Sequence, residues 1–145
     1  MNRKIKSLFI VPLLLVSCEL LAQQGITGSV VVRAGNQMPS PDEKMAAPRP
    51  VKRVVLIYEL TRQDQAVMEN GIFSAVKTRL VKQTRSKRNG RFRVMLPPGR
   101  YTVFVKEIDG LYANQWDAKM NIHPVTVEQG VFAEIRIEIT RAATF

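Results

Sequence analysis

Residues 89–105 read NGRFRVMLPPGRYTVFV, two alternating runs of apolar and polar side chains separated by two prolines and a glycine. A period of two is the mark of a half-buried β-strand, because successive side chains point to opposite faces. Phe92, Val94 and Leu96 therefore share an inward face, with Arg91 and Arg93 outward, and Tyr101, Val103 and Val105 turn inward on the second stretch. Pro97 and Pro98 remove two consecutive ladder donors, and Gly99 supplies backbone freedom, so the chain must change direction there. The pattern predicts a tight reversal in which the two strands pair. Burial of their six apolar side chains contributes roughly 1.5–3 kcal/mol each before conformational entropy is subtracted. No side chain in the corner is a nucleophile, an acid or a metal ligand, so the corner is architecture.

The same period recurs along the chain. In ITGSVVVR, Ile26, Gly28, Val30 and Val32 share a face, and near the C-terminus Ala133, Ile135, Ile137 and Ile139 alternate with Glu134, Arg136 and Glu138. VKRVVLIYELT (51–61) is apolar on both faces at its centre, which predicts a central strand covered on both sides. The stretch 35–50 holds Pro39, Pro41, Pro48 and Pro50 and reads as a long surface loop. Asn70 and Gly71 mark a turn, 77–85 reads as an edge strand, and 86–90 connects it to the strand at 91 as a hairpin. A loop at 109–121 and a short run at 125–127 complete the inventory. About seven strands with no clear helix predict an all-β antiparallel sandwich.

NGRFRVMLPPGRYTVFV resembles the signature of carboxypeptidase regulatory-like domains, in which Asn-Gly or Asp-Gly, an alternating strand, Leu-Pro-Pro-Gly and Tyr follow in that order. GNQMPSP and VLIYELT add a resemblance to small envelope proteins of Gram-negative bacteria that carry this domain alone behind a signal peptide. The resemblance implies a prealbumin-like, antiparallel Greek-key β-sandwich over residues 26–145, a fold used mostly as a non-catalytic module. Fold alone does not establish function.

The N-terminus is basic at Arg3, Lys4 and Lys6 and apolar from Leu8 to Val16, the pattern of a secretory signal and too short to span a bilayer. Leu15, Val16, Ser17 and Cys18 resemble the bacterial lipobox. That resemblance implies cleavage before Cys18, with residues 1–17 as signal and 18–25 as a short tether, and lipid attached to the Cys18 sulfur. Ordinary cleavage after Ala22 is the alternative, but it sets Leu20 where a small side chain is wanted. Cys18 is the chain's one cysteine, so no intrachain disulfide is available. Two acyl chains suffice for stable anchoring.

Without residues 1–17, Lys plus Arg falls by three, from 22 to 19, against 12 acids, leaving +7. Eight cations crowd into residues 77–93, where there is no acid: Lys77, Arg79, Lys82, Arg85, Lys87, Arg88, Arg91 and Arg93. A hairpin would gather several of them into a patch that attracts phosphates or carboxylates, such as lipopolysaccharide or acidic glycans, in a salt-dependent way. A solvated edge strand guarded by its cations accounts for the same residues. Nucleic acid is a poor fit, since single-strand readers interleave exposed aromatics with cations and Phe92 points inward. Tyr112, Asn114 and Trp116 combine rings and an amide in a way that suits a sugar or peptide. The competing role for Trp116 is to plug one end of the sandwich.

Catalysis finds little support in the sequence. His123 is the sole histidine, so no histidine metal cluster can form. Ser29, Ser40, Ser74 and Ser86 lack a nucleophile-elbow context. Asp42 with Glu43, and Glu107 with Asp109, read as solubilising acids. The related transthyretin-like hydrolases use several histidines and a Tyr-Arg-Gly-Ser tail, whereas this chain ends RAATF. No catalytic residue, metal ligand or cofactor site is expected. The expected partners are an envelope protein or glycan, and a membrane reached through the lipid.

Overall fold

The computed structural model describes residues 23–144 apart from 39 and 43, with side chains described up to 141. Cys18 and the leader lie outside the described residues. The strands are β1 (Gly25–Asn36), β2 (Arg49–Pro50), β3 (Val54–Glu59), β4 (Ala66–Glu69), β5 (Ile72–Val76), β6 (Leu80–Arg85), β7 (Arg91–Met95), β8 (Gly99–Glu107), β9 (Gly110–Tyr112), β10 (Pro124–Val127) and β11 (Phe132–Thr144). Among the described residues the one helical element is a single 3₁₀ turn at Gln63–Gln65. The protein is a β-sandwich. Among the described residues eleven strands replace the seven expected because four of them are only two to four residues long.

In the first sheet β1 is central, with β11 on one side and both β2 and β7 on the other. In the second, the order is β4-β5-β9-β8-β3-β6, and β10 shares with β9 the side of β8 away from β3. The alternation places Ile26, Val30, Phe92, Val94, Ile137 and Ile139 of the first sheet against Val55, Ile57, Val103, Val105, Tyr112 and Val125 of the second. All are buried.

Three sequence expectations need correction. The strands flanking the proline corner do not pair with each other: β7 lies on β1 and β8 lies on β3. Residues 96–98 therefore carry the chain from one sheet to the other, and the six apolar residues meet across the interior instead of side by side. Gly99 is close to extended (φ 158°), as a sheet-to-sheet crossing allows and a tight reversal would not. Tyr101 locks the crossing by donating its hydroxyl to the Pro97 carbonyl at 2.6 Å. Second, 77–93 is no hairpin, since β6 belongs to the second sheet and β7 to the first. Third, β1 and β11 run parallel. Parallel neighbours need a long connection, and here nearly the whole chain supplies it.

The crossing from β6 to β7 depends on two residues. Ser86 is buried, accepts from the Arg53 amide at 2.8 Å and donates to the Val51 carbonyl at 2.8 Å. Gly90 has φ 77°, and its carbonyl accepts from Val30 at 2.8 Å; a side-chain carbon there would stand 2.5 Å from the Val30 oxygen. Only glycine combines that angle with that approach. At the other turn recognised in the sequence, Asn70 and Gly71 both take positive φ and join β4 to β5.

A second, smaller core lies on the outer face of the second sheet. Phe73, Phe104, Ala113 and Ile122 are buried there, with Tyr58 packed against them. The cover is the segment 113–123. Its turn is tied by Asp117, whose carboxylate accepts from the Asn121 side chain at 2.8 Å and from the Asn121 and Lys119 amides at 2.9 Å each. The Asn121 bonds hold that carboxyl below its ordinary pKa. The segment docks through the Ile122 amide to the Thr61 carbonyl at 2.8 Å and the Gln63 amide to the Met120 carbonyl at 2.9 Å. This is how β3 comes to be covered on both faces.

Candidate anion-binding groove

The sandwich opens at one side between β6 and β7, the two strands that bring the cationic cluster together. A groove of about 400 Å³ there is lined by Thr27, Thr84, Arg85, Lys87, Asn89, Arg91, Phe92 and Arg93. Four of the eight cations singled out in the sequence thus border one concavity, contributed by two different sheets. No acidic side chain lines it among the described residues, and none of the four cations is in an ion pair. Arg93 lies 3.9 Å over the ring of Phe132 and reaches Gln23 at 3.2 Å, which orients its guanidinium. The Asn89 carboxamide accepts from the Arg91 amide at 3.0 Å and shapes the turn.

The other four cations go elsewhere. Arg79 pairs with Glu59 at 3.0 Å, and Lys82 donates to the Met95 carbonyl at 3.0 Å, tying one sheet edge to the other. Lys77 and Arg88 are exposed and do not line the groove. Arg85 also borders an adjoining hollow of about 230 Å³ with Lys52, Arg53, Val54 and Lys106. Sequence reasoning missed Lys52 and Lys106, because only the pairings of β3 with β6 and β8 bring them beside Arg85. Arg53 is already engaged by Glu107 at 2.7 Å. An arrangement of this kind offers long-range attraction and several hydrogen-bond donors to a phosphate or carboxylate.

The aromatic loop divides. Tyr112 is buried in the main core, with its hydroxyl 3.1 Å from that of Thr140, and so is withdrawn from any ligand. Asn114 is exposed and donates to the Glu138 carbonyl at 3.2 Å. Trp116 does not plug the sandwich. It bridges Ile122 through its backbone, and the residue remains 38% exposed because its segment crosses the outer face of the sheet, not an open end.

His123 is 3% exposed, with positive φ (35°), and its Nδ1 has no hydrogen-bond partner. Burial pushes its pKa down to about 4, against a weaker upward pull from the Val103 backbone. No hydrogen bond joins its ring to a hydroxyl or carboxylate among the described residues. The hydroxyl of Ser86 is consumed in joining strands, Ser74 contacts the Val67 carbonyl, and Asp109 is held bidentately by Arg141 at 2.8 and 2.7 Å. Among the described residues no three His, Cys, Asp or Glu side chains converge as a metal site.

No family model matches the chain, and no curated protein and no solved structure shows significant similarity to it.

Proposed function

We propose that the protein is a non-catalytic binding module of the bacterial cell envelope, tethered to a membrane by lipid on Cys18, whose working surface is the cationic groove between β6 and β7. The observation that carries this reading is the convergence of Arg85, Lys87, Arg91 and Arg93 on one groove with no acid in its lining. The resemblance of residues 89–105 to carboxypeptidase regulatory-like domains supports it, as does the engagement of the buried Ser86 hydroxyl between strands. The ligand class is a phosphate- or carboxylate-bearing glycan, with Thr84 and Asn89 beside the cations as neutral polar contacts.

Retention on a phosphate-bearing matrix tests the groove. The triple variant Arg85→Glu, Lys87→Glu, Arg91→Glu is expected to elute at much lower salt than wild type. A triple reversal of equal charge away from the groove, Lys44→Glu, Arg62→Glu, Lys119→Glu, is expected to cost far less. Equal losses in the two triples mean that net charge alone governs retention, and the groove reading then fails. The tether has its own test: Cys18→Ala is expected to move the protein from the membrane fraction to the soluble one. A wild-type protein recovered soluble with Gln23 at its N-terminus would overturn the lipid anchor and leave the groove untouched.

A further inference from the structure

Among the described residues β11 is an edge strand, covered by β1 along one side and by no strand along the other. Its residues turn their main-chain groups to alternate sides. The Ile135 carbonyl faces β1, where a side-chain carbon on Gly28 would meet it at 2.2 Å. Glu134 and Arg136 therefore turn their amides and carbonyls outward. Further along, the same outward parity is satisfied from within the chain: the Glu138 carbonyl accepts from Asn114 at 3.2 Å, and the Thr140 amide donates to the Tyr112 hydroxyl at 3.2 Å. Glu134 and Arg136 have no such cover among the described residues.

An uncovered edge is a template for another strand. β6, at an edge of the second sheet, carries Lys82 and Arg85, like charges that repel a second copy of the same strand. The charges exposed on β11 alternate in sign instead. Glu134 is in no ion pair among the described residues, and Arg136 has only a 3.9 Å approach to Glu138, which Arg33 already holds.

We infer that two copies of this chain pair antiparallel along β11, about a two-fold axis at Ile135. In that register Glu134 of each copy stands opposite the partner's Arg136, so the same two positions supply about four main-chain hydrogen bonds and two opposite-charge pairs. A two-fold axis one residue later, at Arg136, sets that arginine against itself and Glu134 against the partner's Glu138, so like charges oppose. Charge complementarity thus selects both the occupant and the register. The added strand also covers Ala133 and Ile135, half-buried residues in the wall of a groove shared with Val125 and Thr126. The contact is self-complementary and closes at two copies. Each cationic groove, on the far side of β1 from β11, remains open.

Sedimentation equilibrium of the protein purified from its producing cells, over a roughly hundredfold concentration range, tests the pairing. The expected result is a reversible dimer in the micromolar range, since a contact of this size is smaller than a standard interface of about 1,600 Å². Glu134→Arg and Arg136→Glu are each expected to weaken it about tenfold or more, and the double swap Glu134→Arg/Arg136→Glu to restore it, because only the swap re-forms both pairs. Association through an acyl chain would be indifferent to these charges. As a measurement free of variants, the Glu134 and Arg136 amides of wild type are expected to gain hydrogen-exchange protection as concentration rises. A wild type monomeric throughout overturns the inference, as does a dimer indifferent to the single changes, a swap that fails to restore it, or exchange independent of concentration.

Discussion

Phe104→Ala is expected to lower the unfolding free energy by about 3–5 kcal/mol, a large share of the 5–15 kcal/mol typical of a small domain. The Phe104 ring is fully buried, with ring centroids 5.2 Å from Phe73 and 5.5 Å from Tyr58, both in edge-on geometry. Removing it loses the transfer free energy of the ring and both aromatic pairings, and it leaves a cavity that the docked 113–123 segment cannot close without breaking its bonds to Thr61 and Gln63. The measurement is urea unfolding, with a lower midpoint and an unchanged slope. A loss below about 1 kcal/mol would mean that the outer face of the second sheet is not a true core. Phe104→Leu, which keeps most of the volume, is expected to lose less.

That second core was the part of the fold least legible in the sequence, and the reason is physical. Alternation assigns a side chain to a face, and Phe104 falls on the face opposite Tyr101, Val103 and Val105, where solvent is the ordinary expectation. The clue was the doubly apolar run around Leu56, which does require cover on both sides. Its cover comes from residues 113–123, whose own pattern shows no period. The proline corner illustrates the same limit from the other direction. The inward faces of both flanking strands were readable, but their neighbours were not, because a period of two is satisfied equally by pairing within a sheet and by opposition across a sandwich. For the candidate groove, the cluster at 77–93 was visible as charge. Its division into four groove residues and four others depends on a sheet-to-sheet crossing that local sequence does not encode. Trp116 and Tyr112 exchanged their expected environments for a similar reason: the strand pairing of Tyr112 with Val105 draws the tyrosine inward and carries the tryptophan past the end of the strand.

Acidification from pH 6.5 to 4 is expected to remove roughly 3 kcal/mol of stability through His123 alone, the equivalent of a shift from the ordinary 6.5 to about 4. The sign follows from proton counts. Between these values the unfolded chain binds a proton at His123 and the folded protein does not, so stability rises with pH across the window and is fully present above about 6.5. The cause is geometric: the ring is buried, and its Nδ1 has no partner. The charged groups bordering the same groove, Glu134 and Arg136, are both exposed to solvent. The carboxyls whose bonds depress them, Asp109, Asp117 and Glu138, begin to lose their contributions as pH falls into the ordinary carboxylate range, from about pH 5 downward, which leaves the window above about pH 5 to the histidine. His123→Asn keeps a residue that tolerates the positive φ and cannot titrate. Whatever its stability at neutral pH, its unfolding free energy is expected to be nearly flat between pH 5 and 6.5, where wild type slopes upward by close to one proton. A wild type without that slope, or a variant that retains it, would show that His123 takes up its proton without opening the fold.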